Sequence, residues 1–119
     1  MDALNVAHQA ARAALEKKAI DTRILDLRGI SDICQFQVTC SGANERQNVS
    51  ICSHIESFLR QHFAIRPMTV EGKRNGQWIV LDFGPTIVHI FAQEVRQYYA
   101  IDSLWPKAKL VSLTDGVTS

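Results

Sequence analysis

Apolar residues recur every three or four positions near the start of the chain, at Leu4, Ala7, Ala11 and Leu15. This spacing places them on one face of an α-helix. Asp2 stands just before them, and its carboxylate is suited to accept from free backbone N–H groups at the amino end of a helix. The pattern predicts an amphipathic helix from Asp2 to Ala19 with a narrow apolar stripe.

The next two segments have the patterns of strands. Ile24 to Leu27 is a short apolar run followed by Gly29. From Cys34 to Ser41 the residues alternate, with Cys34, Phe36, Val38 and Cys40 on one side and Gln35, Gln37, Thr39 and Ser41 on the other. A period of two is typical of a strand with one buried face. We expect the polar side to meet water or a partner, which disfavours a sheet covered on both faces.

A second helix is predicted after Gly42, which breaks the strand. Asn44 can cap its amino end, and Gln47 can reach back in the manner of a capping box. The helix should run to about Phe63, because Arg66-Pro67 ends it. Its buried stripe is expected to contain Cys52, Ile55, Leu59 and Phe63.

Three further strands are predicted, over Met68 to Glu71, Gln77 to Phe83 and Thr86 to Phe91. Asn75-Gly76 lies between the first two, and both residue types tolerate the positive φ of a tight hairpin turn. Gly84-Pro85 lies between the last two. A two-residue loop there makes Phe83 face Thr86 and fixes the register of this hairpin.

This register sorts the side chains of the last hairpin onto two faces. One face is wholly apolar and is expected under the helices; it carries Ile79, Leu81, Phe83, Val88 and Ile90. The other face mixes large apolar groups with an acid and an imidazole; it carries Trp78, Val80, Asp82, Ile87, His89 and Phe91. A mixed face of this kind is often a binding surface.

The order of elements predicts an α/β fold of α+β character, with a mixed five-stranded sheet and flanking helices. Gln93 to Trp105 is expected to form one or two short helices that Pro106 ends. We predict a single domain over residues 1–106 and a frayed tail over 107–119. A chain of 119 residues has the usual length of one domain.

Composition narrows the classes of function. Net charge is +1, from 13 basic and 12 acidic residues, whereas proteins that bind nucleic acid through its phosphates usually have a basic excess. Three scattered cysteines fit a reducing compartment, and no signal-peptide pattern or apolar run of about 20 residues is present. We therefore expect a cytoplasmic, soluble protein without a membrane partner.

An enzyme is the rival interpretation, because Ser41-Gly42 precedes a helix whose amino end could hold a phosphate. A nucleotidyltransferase would also need clustered carboxylates to hold magnesium. No Asp-x-Asp follows this loop, and Asp82 and Glu71 lie apart in the sequence. His89 has no second histidine at metal-ligand spacing. We predict no catalytic residue, no cofactor and no metal.

Several blocks of the sequence resemble the ribosome silencing factor family, also called the Iojap-like family. They are Ile24-Leu25-Asp26-Leu27-Arg28-Gly29, Gly42 with Arg46-Gln47, Glu71-Gly72, Gly76-x-Trp78, Leu81-Asp82-Phe83-Gly84, Val88-His89-x-Phe91, Arg96-x-Tyr98-Tyr99 and Leu104-Trp105. The chain departs from the family pattern at Gln35-Phe36-Gln37, where Asp-Tyr-Phe is usual, and at Pro85, where Asp is usual. The first departure removes a negative charge and puts in doubt any role carried over for that strand.

The resemblance implies a nucleotidyltransferase-like fold without enzymatic activity. It implies binding to large-subunit ribosomal protein fourteen, on the face that meets the small subunit, and repression of translation when nutrients are scarce. Relatives in mitochondria and plastids are linked to large-subunit assembly, which is an alternative function. A minor rRNA contact is left open for three basic residues, Lys73, Arg74 and Lys107.

The candidate partner-binding residues are Trp78, Asp82, His89, Phe91, Arg96, Tyr98, Tyr99 and Trp105. Each has a structural alternative. Trp78 could cover the sheet beneath the last helix, Asp82 could stabilise a turn, and His89 could close the sheet surface. Arg96 could pair with Asp82 or Glu71 within the chain, and at least one of Tyr98, Tyr99 and Trp105 is expected to pack on the sheet. A mixed face could also join two copies in a homodimer.

Overall fold

The structure, a computed structural model, describes residues 1–113. Its elements in chain order are α1 (Ala3–Glu16), β1 (Ile20–Asp26), β2 (Phe36–Gly42), α2 (Glu45–Phe63), β3 (Thr69–Glu71), β4 (Trp78–Asp82), β5 (Thr86–Ala92), α3 (Gln93–Tyr98), a 3-10 turn (Ile101–Ser103) and β6 (Lys109–Val111). Six strands of this part of the chain form one sheet in the order β3-β4-β5-β2-β1-β6. The central pair, β2 and β5, is parallel, and the other pairs are antiparallel.

Helices α1 and α2 cover one face of this sheet, which we call the inner face. The apolar side of the β4–β5 hairpin lies there as predicted, with Ile79, Leu81, Val88 and Ile90 fully buried. On the opposite, outer face, α3 packs on β5, and Asp102 of the 3-10 turn pairs with Arg23 of β1. Val80, Ile87 and His89 on this face are only half-buried. The mixed α/β architecture is therefore confirmed, and part of one sheet face is left open.

Helix α1 begins at the predicted cap and packs on the sheet through its alanines. Asn5 N–H donates to the Asp2 carboxylate at 2.8 Å, which confirms the predicted cap. Ala7, Ala11 and Ala14 are fully buried, and their small side chains let the helix lie close to the sheet. Leu15, which was expected on the stripe, is instead 44% exposed. The helix ends at Glu16 rather than Ala19.

The second helix begins as predicted. Gln47 N–H donates to the Asn44 side chain at 2.8 Å, and the Gln47 side chain accepts from Ala43 N–H at 2.7 Å. Cys52, Ile55 and Leu59 form the expected buried stripe. The prediction for Phe63 is wrong, because its ring is 39% exposed and lies beside Phe58 on the outside of the helix.

The predicted β4–β5 register is confirmed. Phe83 N–H donates to the Thr86 carbonyl at 2.9 Å, and Gly84 takes the positive φ, +89°, that this two-residue loop requires. Trp78 is paired with Phe91 at one end of the hairpin, and Asp82 with Ile87 at the other.

The β3–β4 hairpin has a longer connection than predicted. Glu71 pairs with Val80, and residues 72–77 lie between the two strands. Gly72 and Gly76, but not Asn75, take positive φ. Buried Asn48 on α2 accepts from Gly42 N–H at 2.7 Å and donates to the Gly76 carbonyl at 2.8 Å. This side chain holds the loop against the helix.

Two expectations about exposed segments are wrong. All seven residues of β2 are buried, and Arg96 of α3 donates to Thr39 and Ser41 on the polar side that was expected to be open. Lys109–Val111, which was expected in a frayed tail, pairs with β1 and forms a sixth strand. The ordered sheet therefore extends beyond residue 106, whereas the rest of the predicted tail, residues 114–119, lies outside the described residues.

Candidate partner-binding surface

Rings from two strands and α3 form a connected group on the outer face of the sheet. The Trp78 ring lies 5.0 Å from Phe91 and 5.9 Å from Tyr99 between centroids, and Tyr98 meets Tyr99 edge-on at 5.0 Å. The His89 ring stacks parallel to Phe91 at 5.5 Å. The hairpin register and the short α3 thus bring five predicted site residues together.

Exposure distinguishes the rings that a partner could reach from the ring that lies beneath them. Tyr98 is 82% exposed, Tyr99 56% and Trp78 37%, whereas Phe91 is completely buried beneath its neighbours. Phe91 therefore has no surface to offer a partner, and the prediction of a direct contact at this residue is wrong. The remaining four, Trp78, His89, Tyr98 and Tyr99, are called the aromatic patch below.

His89 supports the exposed indole of the patch. The Trp78 indole N–H donates to His89 Nδ1 at 3.1 Å, so this nitrogen carries no proton and the imidazole is neutral. Burial lowers the pKa of His89 from 6.5 to about 4. The bond holds the Trp78 ring in one orientation, which reduces the entropy that a partner must remove on binding.

This pKa leads to a testable pH dependence. The folded protein binds a proton at His89 more weakly than the unfolded chain does. His89 therefore leaves the free energy of unfolding unchanged above about pH 6.5 and lowers it as the pH falls towards 4. We expect the loss to reach about 3 kcal/mol. Urea unfolding across this range should show a steeper fall for the native protein than for His89→Gln, and parallel curves would contradict the assignment.

Asp82 lies on the same face but at the far end of the hairpin, roughly 13 Å along the strand from Trp78. Its carboxylate accepts from Gly84 N–H at 2.7 Å, which is the turn-stabilising role considered as its alternative. Within residues 1–113 no hydrogen bond joins Asp82 to His89, since the imidazole bonds to Trp78. Asp82 remains half-buried and adds a negative charge to one end of the open face.

Arg96 is a buried support rather than a surface contact, as its exposed fraction of 5% shows. Its guanidinium donates to both carboxylate oxygens of Asp102 at 3.0 Å, and to the Ser41 and Thr39 hydroxyls at 3.2 Å. The predicted partners Asp82 and Glu71 were therefore wrong. Burial alone would raise the pKa of Asp102, but the Arg96 hydrogen bonds and charge outweigh it, so the pKa is lowered.

This ion pair explains the covered polar side of β2. Thr39 and Ser41 point outward and receive the guanidinium, and Asp102 on the 3-10 turn closes over it. Ala100, with a φ of +48°, turns the chain back so that Asp102 can reach Arg96. Asp102 was not among the predicted site residues; its one signal in the sequence is an acid six residues after a predicted helical arginine.

The remaining candidate residues lie apart from these contacts. Trp105 is half-buried, and it stacks on none of the rings in the described part of the chain. Lys73, considered for an rRNA contact, donates to Glu56 at 3.0 Å and is thereby partly neutralised.

The positions considered for enzymatic chemistry have other uses. Gly42 N–H and Ala43 N–H, at the loop before α2, already donate to Asn48 and Gln47. Cys34, Cys40 and Cys52 are buried, and burial raises the pKa of Cys40 and of Cys52 to about 12, so neither is an activated thiol. Within residues 1–113, no group of three His, Cys, Asp or Glu side chains is placed to hold a metal ion.

Comparison with known families decides the assignment of the whole chain. A family model described as "ribosomal silencing factor during starvation" matches residues 1–119. The chain belongs to the ribosomal silencing factor family. This is a regulatory family of the ribosome by its description, so the resemblance seen in the sequence is confirmed.

Individual silencing factors are similar over nearly their whole length. The ribosomal silencing factor of Halalkalibacterium halodurans is 34% identical over 92% of this chain and 92% of its own. The chloroplast protein Iojap of Zea mays is 29% identical over 94% of this chain but 48% of its own. A solved structure from Chromobacterium violaceum has a TM-score of 0.84 at 26% identity, covering 92% of this chain and 90% of the other. No helix among residues 1–113 is long and apolar enough to cross a membrane.

Proposed function

We propose that this protein binds the large ribosomal subunit through large-subunit ribosomal protein fourteen and blocks association with the small subunit. Translation is thereby repressed when nutrients are limiting. The observation that carries the proposal is the match of a silencing factor family to the whole chain. The aromatic patch on the open outer face supports it, because three of its rings, those of Trp78, Tyr98 and Tyr99, are exposed there.

The patch suits a docking role for physical reasons. Trp78 and the two tyrosines bury large areas on binding at little entropy cost, which is why such residues often carry most of the binding energy. The exposed Glu71, and Glu94 one turn before Tyr98 on α3, add negative charge near the rings, and Asp82 adds one at the far end of the hairpin, which favours a basic partner. Phe91 and Arg96 act from below, by holding the hairpin and the 3-10 turn in place.

The mechanism needs no bond to be made or broken. The bound protein occupies volume that the small subunit requires, so we propose that it is not an enzyme. The backbone donors before α2, which a phosphate-binding enzyme would need, are used by Gln47 and Asn48. We further propose that it acts in the cytoplasm beside its ribosomal partner. A minor rRNA contact and a homodimer of the free protein stay predictions.

Co-sedimentation with purified large subunits tests this proposal. We expect Trp78→Ala to weaken binding at least tenfold, about 1.4 kcal/mol or more, because it removes the central ring of the patch. Phe63→Ala is a matched control, since Phe63 is 39% exposed on α2 and Trp78 is 37% exposed. Equal affinity of the two variants for the large subunit would contradict docking through the patch.

A further inference from the structure

A basic pocket lies at the other end of the sheet from the aromatic rings. It is a cavity of about 400 Å³ lined by Asp26, Arg28, Ile30, Lys107 and Lys109, where β1 ends and β6 begins. Three cations and one carboxylate give it a local excess of two positive charges, although the whole chain has a net charge of +1. The pocket therefore has a larger net positive charge than the chain as a whole.

The single carboxylate in the pocket is already neutralised. Arg28 donates to both oxygens of Asp26, at 3.0 and 2.8 Å, and this fork holds the pKa of Asp26 below its usual range. The Arg28 guanidinium also lies 5.0 Å from the centroid of the Phe36 ring. These contacts fix the guanidinium at the pocket wall, and its Nη1 group is not used by Asp26.

The two lysines remain available. Lys107 and Lys109 are exposed, and neither has an ion pair within 4.0 Å in the part of the chain that the structure describes. Lys109 is the cross-strand neighbour of Asp26, so β6 is the element that brings its ammonium group to the pocket. Two exposed ammonium groups beside a guanidinium that is bonded to Asp26 suit a tetrahedral oxyanion, which accepts hydrogen bonds from several directions.

We propose that this pocket is a binding site for a phosphate group, held by Arg28, Lys107 and Lys109. Ile30, at 40% exposure, supplies an apolar wall for the uncharged part of the molecule that carries the phosphate. A free nucleotide and the backbone of RNA both offer this chemistry. The inference does not rest on ribosome binding or on the aromatic patch.

Titration of the ¹⁵N-labelled full chain tests the proposal. The probes are inorganic phosphate, adenosine monophosphate and a short single-stranded RNA without terminal phosphates. We expect saturable shifts of the amide signals of residues 28–30 and 107–109. The double variant Lys107→Gln/Lys109→Gln should lose at least tenfold in affinity while its spectrum remains that of the folded protein.

The matched control is Lys17→Gln/Lys18→Gln, which removes the same charge from exposed positions outside the pocket. It should bind as the native protein does. Tighter binding of the mononucleotide would identify a free nucleotide as the ligand, and tighter binding of the RNA would identify its backbone; either result supports the site. The proposal is overturned if no probe gives saturable shifts, or if both double variants lose affinity equally. Because no ribosome is used, failure here would leave the Trp78 test unaffected.

Discussion

Asp102→Ala is expected to lower the free energy of unfolding by about 3 kcal/mol, although Asp102 lies near the surface. The reason is the partner that it leaves behind. Arg96 is 5% exposed, and without Asp102 its charge is buried with the Thr39 and Ser41 hydroxyls as its remaining acceptors among residues 1–113. Arg23, 3.4 Å from Asp102 in the native protein, would then add repulsion. Urea unfolding measures the loss.

A double variant separates this explanation from a simple loss of contacts. Arg96→Met removes the buried charge itself, so Asp102→Ala/Arg96→Met should be more stable than Asp102→Ala alone. Asp32→Ala removes an exposed acid in the β1–β2 loop and should change stability by less than about 0.5 kcal/mol. If adding Arg96→Met to Asp102→Ala made the protein still less stable, the buried-charge explanation for Arg96 would be wrong.

Phe91→Ala is expected to cost about 3 to 5 kcal/mol, as for other large buried rings. Phe91 has no exposed surface and supports both Trp78 and His89, so its removal leaves a cavity under the patch. Phe91→Leu keeps most of the volume and should cost less than about 2 kcal/mol. Thermal or urea unfolding followed by Trp fluorescence measures both.

Phe91→Leu also tests whether Phe91 supports the patch or contacts the partner. Under conditions where Phe91→Leu is fully folded, it should still bind large subunits, because the exposed rings remain. A loss of binding as large as that of Trp78→Ala, with stability unchanged, would instead make Phe91 a direct contact.

The sequence pattern predicted the turns and helix caps, which depend on residues close together in the chain. The two-residue loop at Gly84-Pro85 fixes which residues face each other, so the sequence predicted both faces of the β4–β5 hairpin. The cap residues Asp2 and Asn44 likewise located the two long helices. Each of these features depends on neighbours within a few positions of the chain.

The missed features depend on contacts between distant segments. β6 has three residues, too few for a periodic pattern, and it is a strand because β1 offers it an open edge. Alternation in β2 correctly separated its two sides, but it could not show that Arg96 and Asp102 cover the polar one. For the same reason, register placed Phe91 on the outer face without showing that its neighbours bury it.

The most direct test of the proposed docking surface is site-specific cross-linking on intact large subunits. A photoreactive phenylalanine analogue is placed at Tyr98, whose ring meets Tyr99 in the aromatic patch, or at His62, on the exposed side of α2. The proposal predicts that position 98 cross-links to large-subunit ribosomal protein fourteen and that position 62 does not. Cross-linking of that protein through position 62, with none through position 98, would contradict it.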